Sequence, residues 1–329
     1  MYASFYNFTA VPFQLTPDTR FFFGSSVHSR AIAHLVYGLS QEEGFIIITG
    51  EVGAGKTTLV EQLCSQLDAR TFTVSRIATT QVSGDDLLRL AVTGFGLAAE
   101  GADKATLLRR LEKFFREQRA AGHRCLLVVD EVQSLSIAAL EELRMLSNIA
   151  IDGRAPLQTI LLGQPQFRRT LGRSDLDQLR QRVLASHHLG PLTEAETRAY
   201  IEHRLHTAGW AGNPAWEDAA FAAVFRHSGG LPRRINTLCS RVLLLGALEE
   251  SGEITEAMVN GTAQELQQDI GTVTEAAPPT DHARPNGAPP QAIAFRLAVL
   301  EQTVARRERT FRRLMNLLAE LPTPSEPSS

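Results

Sequence analysis

Residues 50 to 57 read Gly50-Glu51-Val52-Gly53-Ala54-Gly55-Lys56-Thr57, the spacing G-x-x-x-x-G-K-[ST] of a loop that wraps a phosphate chain. Such a loop dictates the fold around it. It works only between a buried strand and a helix whose N-terminus faces the anion. Both flanks meet that demand. The run Gly44-Phe45-Ile46-Ile47-Ile48-Thr49 is apolar and β-branched, as a strand buried on both faces should be. The stretch from Thr57 to Leu67 reads as a helix with Leu59, Leu63 and Leu67 on one face. Backbone N–H groups of Gly50 to Thr58 would cradle the β-phosphate, Lys56 would neutralise β- and γ-oxygens, and the Thr57 hydroxyl would ligate Mg²⁺. The plain alternative, a glycine turn beside a solvated lysine, explains neither flank.

Beyond this loop, strands expected at 45–49, 72–77, 125–129, 158–162 and 184–189 alternate with helices expected at 57–67, 84–92, 104–121, 136–148 and 165–171. Alternation of this kind implies an α/β fold, a five-stranded parallel sheet with helices on both faces, over residues 28–190. The helix before the first strand is expected from Ser29 to Leu39. Residues 1–27 carry Phe13, Phe21, Phe22 and Phe23 around Pro12 and Pro17 and read as an aromatic strap lying over the nucleotide-binding core. From Pro191 the pattern turns to helix only, opened by the capping box Thr193-Glu194-Ala195-Glu196 and continued at 215–227, 232–248 and 255–268. This makes a helical lid over 191–270. A Pro- and Ala-rich linker follows at 271–292, then a helix at 293–321 and a short tail at 322–329. The last helix repeats apolar residues at steps of four and three (Ile293, Leu297, Leu300, Val304, Phe311, Leu314, Leu318, Leu321), except that Arg307 occupies one seam position. That pattern suits a coiled coil or partner groove, or equally an amphipathic helix docked on its own core. Its arginines Arg306, Arg307, Arg309, Arg312 and Arg313 suit a solvated face, an anionic partner or a membrane surface.

A second motif completes the chemistry of the first. Cys125-Leu126-Leu127-Val128-Val129 runs into Asp130-Glu131, and strand ends in such sheets open on the ligand crevice. Asp130 would hold Mg²⁺ through water, and Glu131 would polarise the attacking water. The next strand ends at Gly163-Gln164-Pro165, where Gln164 would sit between the two motifs and sense the γ-phosphate; a helix-entry turn closed by Pro165 reads as well. Arg180 and Arg182 precede the fifth strand, placed to reach a neighbouring subunit's γ-phosphate or to make surface salt bridges. Arg233 and Arg234 open a lid helix after Gly230-Leu231-Pro232. A cation in a first turn opposes the helix dipole, which favours a role for Arg233 on the γ-phosphate.

Composition narrows the setting. The chain has 329 residues, 43% hydrophobic and 21% charged, with a net charge of −3, so no global basic field argues for nucleic acid or an anionic membrane. Cys64, Cys125 and Cys239 lie inside apolar patterns at no metal-ligand spacing and read as buried thiols of a reducing compartment. No signal peptide and no run of about 18 apolar residues is present, so a cytoplasmic protein is expected.

Taken together, the Gly50–Thr57 loop, Asp130-Glu131-Val132-Gln133, Leu162-Gly163-Gln164-Pro165, Leu179-Arg180-Gln181-Arg182 and Gly230-Leu231-Pro232-Arg233-Arg234-Ile235-Asn236 resemble AAA+ ATPases of the general secretion pathway protein A type. Met1-Tyr2, Phe5-Tyr6, Pro12-Phe13, Pro17-Asp18 and Tyr37-Gly38-Leu39 fit the same pattern. The resemblance extends to the ATPases of exosortase (PEP-CTERM) loci through Glu141-Glu142-Leu143-Arg144-Met145-Leu146-Ser147-Asn148, Tyr200-Ile201-Glu202-His203-Arg204-Leu205 and Gly209-Trp210, and covers about residues 1–270. It implies a P-loop NTPase of AAA+ architecture, ATP and Mg²⁺ as cofactors, a lid sensor arginine at Arg233 and a homo-oligomer, ring or smaller. It also implies a membrane-protein partner in a secretion or polysaccharide system and a peripheral place at the inner membrane. Thr19, Val132 and Ser134 depart from the family pattern without touching the triphosphate chemistry. The secretion-type members carry a membrane helix after the ATPase domain, where this chain has its Pro-rich linker. A DNA-associated AAA+ switch similar to transposition helpers is the alternative, opposed by the net charge and by the lack of a basic stripe.

Overall fold

The computed structural model describes residues 2–16, 18–78 and 83–271. The linker from 272, the helix read at 293–321 and the tail lie outside the described residues.

The sheet is built from β1 (Phe45–Gly50), β2 (Phe72–Ala78), β3 (Arg124–Asp130), β4 (Leu157–Gly163) and β5 (Val183–Leu189). All neighbours are parallel, in the order β2-β3-β4-β1-β5. Side chains alternate across each strand, so the apolar run of β1 splits. Phe45 and Ile47 face one helical layer and Ile46 and Ile48 the other. The first layer holds α4 (Gly84–Gly94), α5 (Lys104–Ala120), α6 (Ile137–Ser147), α7 (Gln166–Leu171) and α8 (Asp177–Arg180). The second holds α2 (Ser26–Ser40) and α3 (Lys56–Gln66). Helix starts follow the capping rule: Ser25, Ser83, Asp103 and Ser136 each accept a backbone N–H of the first turn. Ser25 begins α2 three residues earlier than the apolar pattern indicates, because the cap lies outside the apolar stripe.

Past the sheet come α9 (Glu194–Thr207), α10 (Asp218–Ser228), α11 (Pro232–Leu248) and α12 (Glu256–Gly271). Thr193 and Glu196 form the expected capping box on α9. This region is not helix only. Ala215–Trp216 (β6) pairs in parallel with Glu253–Ile254 (β7), as the Ala215 N–H reaches the Gly252 carbonyl and the Glu217 N–H reaches that of Ile254. The reading of 215 as a helix start is corrected accordingly: α10 opens at Asp218.

The N-terminal segment also departs from expectation. After α1 (Tyr2–Phe5), the buried rings of Tyr6, Phe8, Phe13 and Phe21 join the apolar cluster of α9 to α12, not the sheet core. Both faces of the sheet are already covered by helices, so these rings find their cover on the lid instead. Polar bonds fix them there: Tyr6 Oη donates to the Ser251 carbonyl (3.0 Å) and the Thr9 N–H to that of Ala208 (2.8 Å). Phe22 alone of this group packs against the α2–α3 layer.

The three cysteines are free thiols, with Cys125 and Cys239 buried and Cys64 only half-buried. No helix among the described residues is long and apolar enough to cross a membrane.

Candidate nucleotide site

Strand order decides what meets at the carboxyl edge of the sheet. β4 lies between β1 and β3. The loop leaving β1, the carboxylates ending β3 and the Gln164 that follows β4 therefore converge on one crevice.

The glycines of the loop are required by close approach. Gly53 has φ +81°, and a Cβ there would lie 2.3 Å from Arg233 Cβ. Gly55 has φ +94°, caps α3 and would set its Cβ 3.0 Å from His28 Nε2. Such φ values suit glycine alone without strain. Lys56 opens α3 and is 6% exposed, with Nζ donating to the carbonyls of Gly50 (2.9 Å) and Glu51 (3.0 Å). Burial pulls its ammonium below the ordinary lysine range, while Glu131, Asp130 and Glu51 act in the opposite sense.

Across the crevice, Thr57 Oγ1 donates to Asp130 Oδ2 at 2.6 Å, and the Glu131 N–H donates to Asp130 Oδ1 at 2.8 Å. A hydroxyl and a carboxylate oxygen beside a phosphate cradle are the hard donor set that Mg²⁺ takes together with nucleotide phosphates. The residues fit that ion: Thr57 and Asp130 would hold it, and it would supply charge neutralisation on the phosphate oxygens.

Glu131 has φ +50°, a left-handed conformation uncommon outside glycine. It turns the chain out of β3 into the tight helical turn Val132–Ser134. Its Oε2 accepts from Gln133 Nε2 and from Gln164 Nε2, the latter at 3.2 Å. Gln164 in turn accepts at Oε1 from Gln166 Nε2 (2.8 Å).

The roof of the crevice comes from the lid and the N-terminal segment. A cavity of about 310 Å³ is lined by Gly53, Lys56, Thr57 and Glu131 below and by Gln14, Phe21, Tyr200, Arg204, Arg233 and Asn236 above and beside them. Val52 and Thr58 line it too. Arg233 places its Cβ over Gly53, and its N–H donates to the Gly53 carbonyl (3.1 Å). The lid thus rests directly on the phosphate loop. On the other side, His28 is buried with Nδ1 2.7 Å from Ser25 Oγ, and its Nε2 lies close against Gly55 of the phosphate loop. Burial holds this imidazole below its ordinary pKa.

Arg180 and Arg182 do not line this cavity. Arg180 pairs with Asp177 (2.8 Å), and Arg182 donates to the Ser147 carbonyl (2.8 Å). Residues missed in the sequence are Gln133, His28 and the group Tyr200–Arg204–Asn236. Gln133 sits two positions after Glu131 and carried a readable signal, a second carboxamide beside the acidic pair. The others depend on tertiary approach and leave no local pattern.

Comparison with known proteins agrees with this geometry. Residues 39–171 match the AAA domain family. General secretion pathway protein A of Aeromonas hydrophila is 36% identical over 278 residues, covering 83% of this chain and 50% of the relative. The chain therefore spans half the length of that protein. Among solved structures, Cdc6p of Pyrobaculum aerophilum superposes with a TM-score of 0.62 at 14% identity, over 80% of this chain and 70% of its own. The Aeropyrum pernix ORC1 protein, solved in complex with DNA, gives 0.58 at 15% identity, over 92% and 79%. Identities this low speak for the fold alone, a P-loop NTPase α/β fold of the AAA kind.

Proposed function

We infer, from the AAA domain match and the likeness to general secretion pathway protein A, that this chain is an AAA+ ATPase. On this reading ATP binding and hydrolysis drive an assembly or export step in a secretion-related system. The observation that carries the ATPase half is that Lys56, Thr57 and Glu131 line one cavity together with Arg233, while Asp130 accepts the bond of the Thr57 hydroxyl. Lys56 offers its ammonium to β- and γ-oxygens once it leaves the loop carbonyls. Glu131 accepts a proton from the attacking water, and Gln164 orients the γ-phosphate. Arg233 reports the γ-phosphate to the lid through its bond to Gly53. Arg180 and Arg182 face away from this cavity and serve a neighbouring subunit's nucleotide in a homo-oligomer.

The process is the finer part of the reading. Resemblance to the exosortase (PEP-CTERM) ATPases supports a surface-polysaccharide or exosortase-linked system, with a membrane protein as client and a peripheral place at the inner membrane.

Phosphate release by the purified chain with ATP and Mg²⁺ tests the ATPase reading, with Glu131→Gln as control. Turnover that is absent, or equal in the control, refutes it. Arg182→Ala is expected to keep ATP binding and lose turnover; wild-type turnover removes Arg182 from the trans site. Complementation of a chromosomal deletion by wild type but not by Glu131→Gln, read as surface polysaccharide, tests the process.

A further inference from the structure

The turn after β3 does more than reverse the chain. Gly163 ends β4 hard against it, since a Cβ there would lie 2.8 Å from Val132 Cγ2. That approach brings the half-buried Gln133 side chain within reach of two partners. Its Oε1 accepts the backbone N–H of Gln164 at 2.9 Å, and its Nε2 donates to Glu131 Oε2. The partners fix which end of the amide is which. A flipped carboxamide would set N–H against N–H at Gln164 and oxygen against carboxylate at Glu131. Gln133 is therefore a splint between the β3 carboxylate and the end of β4, and each end meets a partner only an amide satisfies.

We propose that Gln133 is the positioning residue for Glu131: it holds the carboxylate in its working rotamer while Gln164 is occupied elsewhere. Glu131 Oε2 has two amide donors, Gln133 and Gln164. Gln164 follows β4, between the phosphate loop and Glu131, so its amide is the one that turns to a bound γ-phosphate. When it does, Gln133 keeps Oε2 engaged. The inference rests on the reading of Glu131 as the group that polarises water, and it deepens that reading. The Gln164 N–H held by Gln133 also means that a shift of the β4–α7 junction moves the carboxylate with it.

Two substitutions separate this role from a merely structural one. Gln133→Met keeps length and volume and loses both bonds. Gln133→Glu keeps the acceptor for the Gln164 N–H but replaces the donor to Glu131 by a like charge. Steady-state phosphate release is measured beside binding of a fluorescent ADP analogue, on the full chain. Expected is a kcat lowered on the order of 10- to 100-fold in both variants, with analogue affinity changed by less than about twofold. In the Glu131→Gln background, Gln133→Met is expected to have no further effect, because the two act as one unit. Wild-type kcat in Gln133→Glu, with melting temperature and affinity lost only in Gln133→Met, shows a tether between β3 and β4 and overturns the proposal. So does a Gln133→Met effect that persists in full without Glu131. Turnover absent from the wild type defeats the ATPase reading and this one with it; turnover present and insensitive to both variants defeats this one alone.

Discussion

At the carboxyl edge of the sheet, the residues proposed to bind and cleave nucleotide follow neighbouring strands, β1, β4 and β3, whose order brings Lys56, Gln164 and Asp130 to one edge. The roof above them is assembled from residues far apart in the chain. Thr9 meets Ala208, Tyr6 meets Ser251, and Arg204 Nε donates to the Pro12 carbonyl at 2.5 Å, pairs separated by 199, 245 and 192 positions. The floor is thus set by strand pairing, while the roof joins the lid and the N-terminal segment. The two touch at few polar points, among them Arg233 N–H on Gly53 and Glu196 Oε1 accepting the Ser26 N–H (2.8 Å). On the proposed function, chemistry would belong to the floor and the response to it to those few contacts.

The sharpest break of this comparison uses the floor alone. Lys56→Ala is expected to abolish nucleotide binding and turnover together, whereas Glu131→Gln should lower kcat by roughly 10²–10⁴-fold and leave ATP bound. Equilibrium binding and phosphate release on both variants check the split. Equal loss of binding in both would mean that floor residues do not divide into grip and reaction.

Next in size is the roof. Phe13 is 1% exposed within the lid cluster, and Phe13→Ala should cost about 3–5 kcal/mol of lid stability. If strap and lid are one body, calorimetry will show a lowered lid transition with the sheet domain's transition in place. A loss confined to the sheet transition would return the strap to the core.

A smaller effect is expected at the junction. Gly53→Ala puts a Cβ into Arg233 Cβ at a φ of +81°, so the lid must lift. A strain of about 1–3 kcal/mol is expected, with ADP affinity reduced and the fold retained. Affinity equal to wild type would show that the lid contact is not needed to hold nucleotide.

The same comparison explains what could be read in advance. β1 to β5 fall within a residue or two of the runs that announced them; for the central β1, β3 and β4 this is because burial on both faces leaves a continuous apolar signal. Lys56, Thr57, Asp130 and Glu131 could be placed near one another in advance because they follow strand ends whose motifs have fixed spacing. The destination of Phe13 and Tyr6 was not, since an aromatic residue declares that it needs cover but not what covers it. Trp216 was read into a helix because a two-residue strand has no periodicity to show. His28 looked like any histidine on a helix; only its approach to Ala54 and Gly55 gives it a place in the site.

His28 also yields the finest test, because it is a group on the floor that titrates while facing Glu196 of the lid. The groups facing it are Ser25 Oγ, the Ala54 backbone, the Phe22 ring edge and the Glu196 carboxylate. Burial lowers its pKa, and the charge of Glu196 only partly opposes this. A lowered folded-state pKa means that the unfolded chain takes up the proton first. The contribution of neutral His28 is therefore complete above the unfolded value of 6.5 and is lost as pH falls below it toward the folded value. Between about pH 7.5 and 5.5 the loss is at most about 1.4 kcal/mol for one group. His187 and His203 are lowered by burial as well, so the wild-type melting temperature alone does not isolate His28. His28→Gln, which keeps a polar side chain and does not titrate, does isolate it. Over the same interval the wild type should lose more stability than His28→Gln. Parallel pH profiles would show that the imidazole beside the phosphate loop is not held neutral by its burial.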